Sequence, residues 1–219
     1  AFAASETAEA TATNDEEQPD EIIVSARKQS ETALEVPIAV TAFSEKVLQD
    51  RLATGIADIA DFTPGFQMQQ SFGRGFDRPI IRGASNIIQA DGKVGIFLNG
   101  APYLGDFSSL DLAAVEQIEV IKGPQSAFFG RSTFGGAINY ITKDPGDEFA
   151  GKISVEAASM GQYDVSISHE GPILPGTLSY RISGRSYHRD GPFRSYVDQG
   201  KMGEQSTDSI AAAIVYTPT

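Results

Sequence analysis

Two hydrophobic periods divide the chain. From residue 147 onward apolar and polar positions alternate: Ile153, Val155 and Ala157 against Lys152, Ser154 and Glu156; Tyr163, Val165 and Ile167 against Asp164, Ser166 and Ser168; Leu178, Tyr180 and Ile182 against Ser179, Arg181 and Ser183. A further run, from about Asp208 to Tyr216, sets Ile210, Ala212, Ile214 and Tyr216 on one face. Successive strand side chains point to opposite faces, so the pattern predicts four half-buried antiparallel strands. They are joined by tight turns and one longer polar loop, Arg189 to Thr207. A water-soluble sandwich shares such a pattern, but short turns at one end and a longer loop at the other are the habit of a transmembrane barrel.

Ahead of residue 147 the period is mixed. Residues 36 to 43, VPIAVTAF, read as a strand, and Ser44 caps a predicted helix, SEKVLQDRL, with Val47, Leu48 and Leu52 on one face. A second short helix carries Ile56, Ile59 and Ala60 and stops at Pro64-Gly65. FQMQQSFGRGFDRPIIRGAS gives two strand-like pieces around a loop rich in Gly, Phe and Arg. VGIFLNGAPY is a strand that turns at Asn99-Gly100, and LDLAAVEQIEVIKGP passes through a brief helix into a strand ending at Gly123. Short strands and helices in this mixture predict a small α+β domain that ends near Pro145.

The stretch from Gly123 to Lys143, GPQSAFFGRSTFGGAINYITK, has glycines at Gly123, Gly130, Gly135 and Gly136. Glycines so placed permit backbone reversals, and Phe128, Phe129 and Phe134 are the expected apolar anchors of those turns. Gly130-Arg131-Ser132 imitates the end of a phosphate-binding loop, yet Gln125 stands where the leading glycine belongs. A dinucleotide fingerprint opening at Gly73-Arg74-Gly75 would need a glycine at Arg78. Neither nucleotide motif is present.

Charge and residue usage narrow the chemistry further. A net charge of −12, with seventeen basic residues scattered along the chain, argues against a nucleic-acid partner. Cysteine is absent, and His169 and His188 stand without ligand-spaced carboxylates, so no metal site and no cofactor are expected. No nucleophile elbow or catalytic carboxylate pair is evident. Glu116 and Glu119 are i, i+3 neighbours that read as surface or ion-pairing groups, which leaves no catalytic residue to name. No run reaches the roughly eighteen apolar residues of a spanning helix, so membrane insertion would have to be by strands.

At the N-terminus Ala1-Phe2-Ala3 fits either the end of a signal peptide or an arbitrary edge, and Ala4 to Asp20 has the composition of a solvated, disordered acidic tail. DEIIVSA, Asp20 to Ala26, is a short apolar run bounded by charge. It reads as the domain's first strand or as a strand held ready to join another sheet.

Three motifs in one order carry a family resemblance: PIIRGAS at Pro79 to Ser85, VGIFLNGAPY at Val94 to Tyr103, and IEVIKGPQSAFFGRSTFGGAINYITKDP at Ile118 to Pro145. Together they resemble the plug domain of TonB-dependent outer-membrane receptors. The resemblance implies an acidic N-terminal tail over residues 1–19, a TonB box over 20–26, a plug over 27–146, and over 147–219 the first four strands of a barrel of about twenty-two. Four strands cannot close a barrel, so a longer receptor is expected.

The resemblance also implies roles. Asp20, Glu21, Ile22, Ile23, Val24, Ser25 and Ala26 would bind TonB, itself driven by an inner-membrane energising complex; Glu21 replaces the usual Thr. Arg74, Phe76, Asp77, Gln89, Asp91, Tyr103, Phe107 and Ser108 would face the outside and bind a small extracellular ligand, with packing aromatics as the plainer reading. Arg82 and Arg131 would meet carboxylates of the barrel wall, or else be ordinary surface arginines. The function implied is energised import across the outer membrane, the strands facing lipid and the N-terminus in the periplasm. The cargo would be a ferric siderophore or other iron chelate, cobalamin or an oligosaccharide. A passive porin or adhesin with a fixed plug is the alternative.

Overall fold

The computed structural model describes residues 23–25, 31–33, 36–51, 53, 55–69, 77–85, 93–105, 107, 110, 112–130 and 132–218. In chain order the first strands are β1 (Ile23–Val24), β2 (Glu31–Thr32), β3 (Ala39–Ser44), β4 (Phe66–Gln69), β5 (Arg78–Ile81), β6 (Ala84–Ser85), β7 (Val94–Leu98), β8 (Ala101–Pro102), β9 (Val115–Lys122) and β10 (Gly136–Thr142). Among the described residues three α-helices, α1 (Glu45–Asp50), α2 (Ile56–Asp61) and α3 (Ser126–Phe129), and a 3-10 turn at Leu112–Ala114 lie between them. The strands after residue 147 are β11 (Ala150–Ala158), β12 (Gln162–Leu174), β13 (Leu178–Arg189), β14 (Phe193–Arg194), β15 (Lys201–Met202) and β16 (Gln205–Tyr216).

The central sheet runs β3-β9-β10-β7-β8, with β10 and β7 parallel and the other pairs antiparallel. Both faces of its middle strands are covered. One packs Ile118, Val120, Ile138 and Tyr140 against Leu48 of α1 and Ile56 and Ile59 of α2. The other packs Ile121, Ala137 and Phe97 against Val24, Val36 and Phe129. The small β4-β5-β6 sheet adds Phe66 and Ile81 to the first core.

Local chemistry sets the element ends. The Ser44 hydroxyl accepts from the Val47 amide at the start of α1, and the Asp58 carboxylate takes the Gly55 amide at the start of α2. Beyond α2 the buried Thr63 hydroxyl donates back to the Ile59 carbonyl, and Gly65 turns the chain at φ 77°. Asn99 and Gly100, at φ 51° and 76°, form the two-residue turn between β7 and β8. Gly136 is the tightest position of the glycine-rich stretch: at φ 154°, a Cβ there would lie 2.4 Å from the Ile121 carbonyl oxygen.

The aromatic anchors divide. Phe129 is buried and lies 4.6 Å from the Phe97 ring, centroid to centroid. Phe128 is 41% and Phe134 70% exposed, so neither pins the turns from inside as their apolar character suggests. The turns are held by backbone bonds instead, Gly123 N to Gly135 O, Gln125 N to Thr133 O and Gly135 N to Lys93 O.

After residue 147 an antiparallel meander, β11-β12-β13-β16, forms as its alternation predicts. Ile153, Val155, Ile167, Ile182, Ile210 and Ile214 project from one face and are exposed. On the opposite face Ser179, Arg181, Ser183, Arg185 and Tyr187 are buried. The polar segment Arg189 to Thr207 is not a plain loop: β13 and β16 run on into it, and β14 pairs with β15 in a small hairpin.

Candidate functional site: the docked N-terminal segment and the plug surfaces

Of the expected coupling residues, Ile23, Val24 and Ser25 are described; Asp20, Glu21, Ile22 and Ala26 lie outside the described residues. Ile23 and Val24 pair antiparallel with Thr32 and Glu31. The Val24 side chain, 1% exposed, is inserted among Val36, Phe97, Ile121, Phe129 and Ala137. Burying a valine in this way is worth about 1.5–2 kcal/mol of apolar transfer.

Beside that pocket lies a polar one. The Ser25 amide and hydroxyl both donate to the Glu119 carboxylate, the hydroxyl at 2.9 Å. Asn139 Nδ2 donates to Ser25 Oγ at 3.0 Å and to Glu119 Oε2 at 3.2 Å. Gln117 Nε2 donates to the Ile23 carbonyl at 2.9 Å and to Glu119 Oε1 at 3.1 Å. Asn139 Oδ1 in turn accepts from the Gly100 amide, which ties the network to the β7–β8 turn.

Glu119 therefore corrects its sequence reading. It is fully buried on the central strand, with no exposed surface, whereas Glu116 on the same strand is exposed. The detectable signal was the run Ile118, Val120, Ile121 on both sides of it: a strand apolar on both faces lies in the middle of a sheet, so a glutamate within it is buried whichever face it takes.

Among the expected ligand contacts, Asp77, Tyr103 and Phe107 are described, while Arg74, Phe76, Gln89, Asp91 and Ser108 lie outside the described residues. Tyr103 follows β8, its amide bonded to the Ile96 carbonyl at 2.8 Å and its ring partly packed on the first core. Phe107 does not face outward as expected: at 5% exposure it is a core residue, its ring part of the apolar cluster of Ile118, Val120 and Tyr140.

Arg82, the first expected plug-to-barrel arginine, sits in the left-handed region at φ 50°, with its amide on the Gly65 carbonyl at 2.8 Å. Burial, and then the nearby Arg82 charge, hold the Lys122 amine below its usual pKa. Two cations thus share one surface, and no salt bridge to Arg82 is formed among the described residues. Arg131 lies outside the described residues.

Contacts between plug and strand sheet use residues the sequence reading did not name. Arg185 of β13 forks the Asp164 carboxylate of β12, Nε to Oδ1 at 2.9 Å, and donates from Nη1 to the Leu110 carbonyl of the plug at 3.2 Å. Ser179 Oγ donates to the Pro145 carbonyl at 3.3 Å, and Lys152 of β11 approaches Glu45 at the start of α1, which Lys143 within the plug also pairs. Alternation placed these polar side chains on one face without revealing what that face covers.

Comparison with known proteins meets this geometry. Residues 32–137 match the family described as TonB-dependent Receptor Plug Domain. The chain is 27% identical over 168 residues to the ferrioxamine B receptor of Salmonella typhimurium, covering 73% of this chain and 23% of that protein. It is 28% identical over 150 residues to the vitamin B12 transporter BtuB of Vibrio vulnificus, covering 68% of this chain and 25% of that one. In fold it resembles the ferric yersiniabactin uptake receptor FyuA of Yersinia pestis, with a TM-score of 0.78 and 23% identity over 87% of this chain and 30% of that one. The outer-membrane ferripyoverdine receptor of Pseudomonas aeruginosa gives 0.72 and 20%, over 90% of this chain and 25% of that one.

The fold is that of TonB-dependent receptors: an α+β plug followed by antiparallel barrel strands. Residues 32–137 are the plug domain, and the chain spans about a quarter of the length of the curated relatives it matches.

Proposed function

We propose that this chain is the plug-bearing part of an outer-membrane active transporter. It takes up a scarce small ligand, foremost a ferric siderophore, using energy relayed by TonB to Asp20–Ala26. The observation that carries the reading is the docked segment Ile23–Ser25, a strand held on the plug by one buried side chain and a small set of hydrogen bonds. A strand so held can be exchanged for pairing with an added strand of another protein, whose parallel hydrogen bonds resist a pull together.

Iron chelates lead the cargo classes because the similar proteins named above include receptors for ferrioxamine B, ferric yersiniabactin and ferripyoverdine, beside one vitamin B12 transporter. The ligand would enter over Arg74, Phe76, Asp77, Gln89, Asp91, Tyr103 and Ser108, and Arg82, Lys122 and Arg131 would meet carboxylates of the closed barrel. The exposed Ile153, Ile167, Ile210 and Ile214 would face the lipid of the outer membrane.

The test is uptake by Gram-negative cells in which the full-length receptor is the one importer for the offered cargo. Ferric hydroxamate, ferric catecholate and cobalamin are offered separately, with and without a protonophore. Accumulation of one cargo that stops on de-energisation while surface binding persists is the expected result. Accumulation indifferent to the protonophore would establish the passive alternative.

A further inference from the structure

Glu119 is the least ordinary group in the plug. It sits in the middle of β9, directly opposite Asn139 of β10, with no exposed surface, and among the described residues no salt bridge reaches it. A buried carboxylate without a cation depends on its hydrogen-bond donors. Among the described residues there are four: Ser25 N, Ser25 Oγ, Gln117 Nε2 and Asn139 Nδ2. Two come from one residue of the coupling segment. The other two are engaged with that segment as well, since Gln117 also bonds the Ile23 carbonyl and Asn139 also bonds Ser25 Oγ.

The pattern of these bonds has a meaning in strand geometry. The C=O of one residue and the N–H two residues on point to the same edge of a strand, the groups a neighbouring strand would pair. Along this edge the Ile23 carbonyl is taken by a Gln117 amide donor and the Ser25 amide by a Glu119 carboxylate acceptor. Two side chains of β9, two residues apart and on one face, thus imitate the edge of a strand. An incoming strand that pairs this edge must displace both.

We infer that Glu119 is a positioning residue for the coupling segment: with Gln117 and Asn139 it holds Ile23–Ser25 on the plug, occupies the edge a partner strand needs, and sets how often the segment is free. This rests on the reading of Asp20–Ala26 as the segment that TonB grips. Release of Ser25 takes two of these donors from Glu119, so the docked state is favoured until another interaction offsets that loss.

The experiment uses the purified full-length receptor without ligand. These 219 residues contain no cysteine, and Ile23 is exposed, so Ile23→Cys carries a nitroxide without disturbing the Val24 pocket. An immobilised spectrum is expected with Glu119 in place. Glu119→Gln, which puts an amide donor against donors, and Ser25→Ala, which deletes one hydroxyl at little risk to the fold, each raise the mobile fraction; Ser25→Thr keeps it low. In parallel, unlabelled Glu119→Gln receptor binds the periplasmic domain of TonB on the order of tenfold more tightly than wild type in the ligand-free state, as a shift in the free population requires. A spectrum that stays immobilised in both Glu119→Gln and Ser25→Ala overturns the positioning role. Mobility that rises with no gain in TonB affinity upholds the docking and overturns the coupling reading beneath it.

Discussion

At the scale of single residues the plug depends on positions where one atom more would not fit. Gly136 is the sharpest: its φ of 154° is outside the range of ordinary L-residues, and a Cβ would meet the Ile121 carbonyl at 2.4 Å and Ile81 Cδ1 at 2.9 Å. The first of these is backbone of the neighbouring strand and cannot swing away. Gly136→Ala is expected to destabilise the plug by about 2–4 kcal/mol, strain and overpacking together, seen as a lowered denaturant midpoint for plug unfolding in the full receptor. An unchanged midpoint would mean that β9 and β10 are not so closely joined. The glycine cluster was legible because the constraint is local. Glu119 was misjudged because charge alone says nothing of burial, and Phe128 and Phe134 because apolar character alone does not say which surface will cover a ring.

At the scale of elements, period decided what could be read. The four long strands and both helices of the first core follow their hydrophobic spacing, and Leu48, Ile56, Ile59 and Ala60 are buried as that spacing requires. The β14–β15 hairpin has no such pattern, being two residues on each side within a polar segment. It is held by side chains instead, Lys201 bonding Asp190, with His188 near both Asp190 and Glu204. The hydrogen bond from Lys201 holds the Asp190 carboxyl below its usual pKa against the opposing effect of desolvation. A depressed carboxyl contributes stability that is present above its unfolded value, ordinarily 3.8, and is lost as pH falls through the lower folded value. Acidification below that ordinary value should therefore loosen the hairpin, and Asp190→Asn should loosen it already at neutral pH. Hydrogen exchange of the Lys201–Met202 amides reads both; equal protection in the variant and the wild type at neutral pH would remove Asp190 from the account.

At the scale of the whole molecule the arrangement is a small mixed sheet domain set against the polar face of an antiparallel meander. Arg185 on the Leu110 carbonyl, Ser179 on the Pro145 carbonyl and Lys152 near Glu45 make the contact between them. The division into these two parts was visible in the change of period near residue 147. The faces they share were not, since a row of polar side chains reads alike whether it meets water or a plug. The docked segment was legible only as a choice between first strand and waiting strand. In the structure Ile23–Val24 is a strand of the domain, pinned by Val24 and Ser25, and its exchange onto TonB is the proposed step.

Val24→Pro tests that account most directly, because proline removes the backbone donor and the buried side chain at once and so denies the segment to any strand pairing. In energised cells carrying the full-length receptor, the variant is expected to bind cargo at the surface with wild-type affinity and to accumulate none inside. Accumulation at the wild-type rate by the Val24→Pro receptor would contradict the coupling of Asp20–Ala26 to transport.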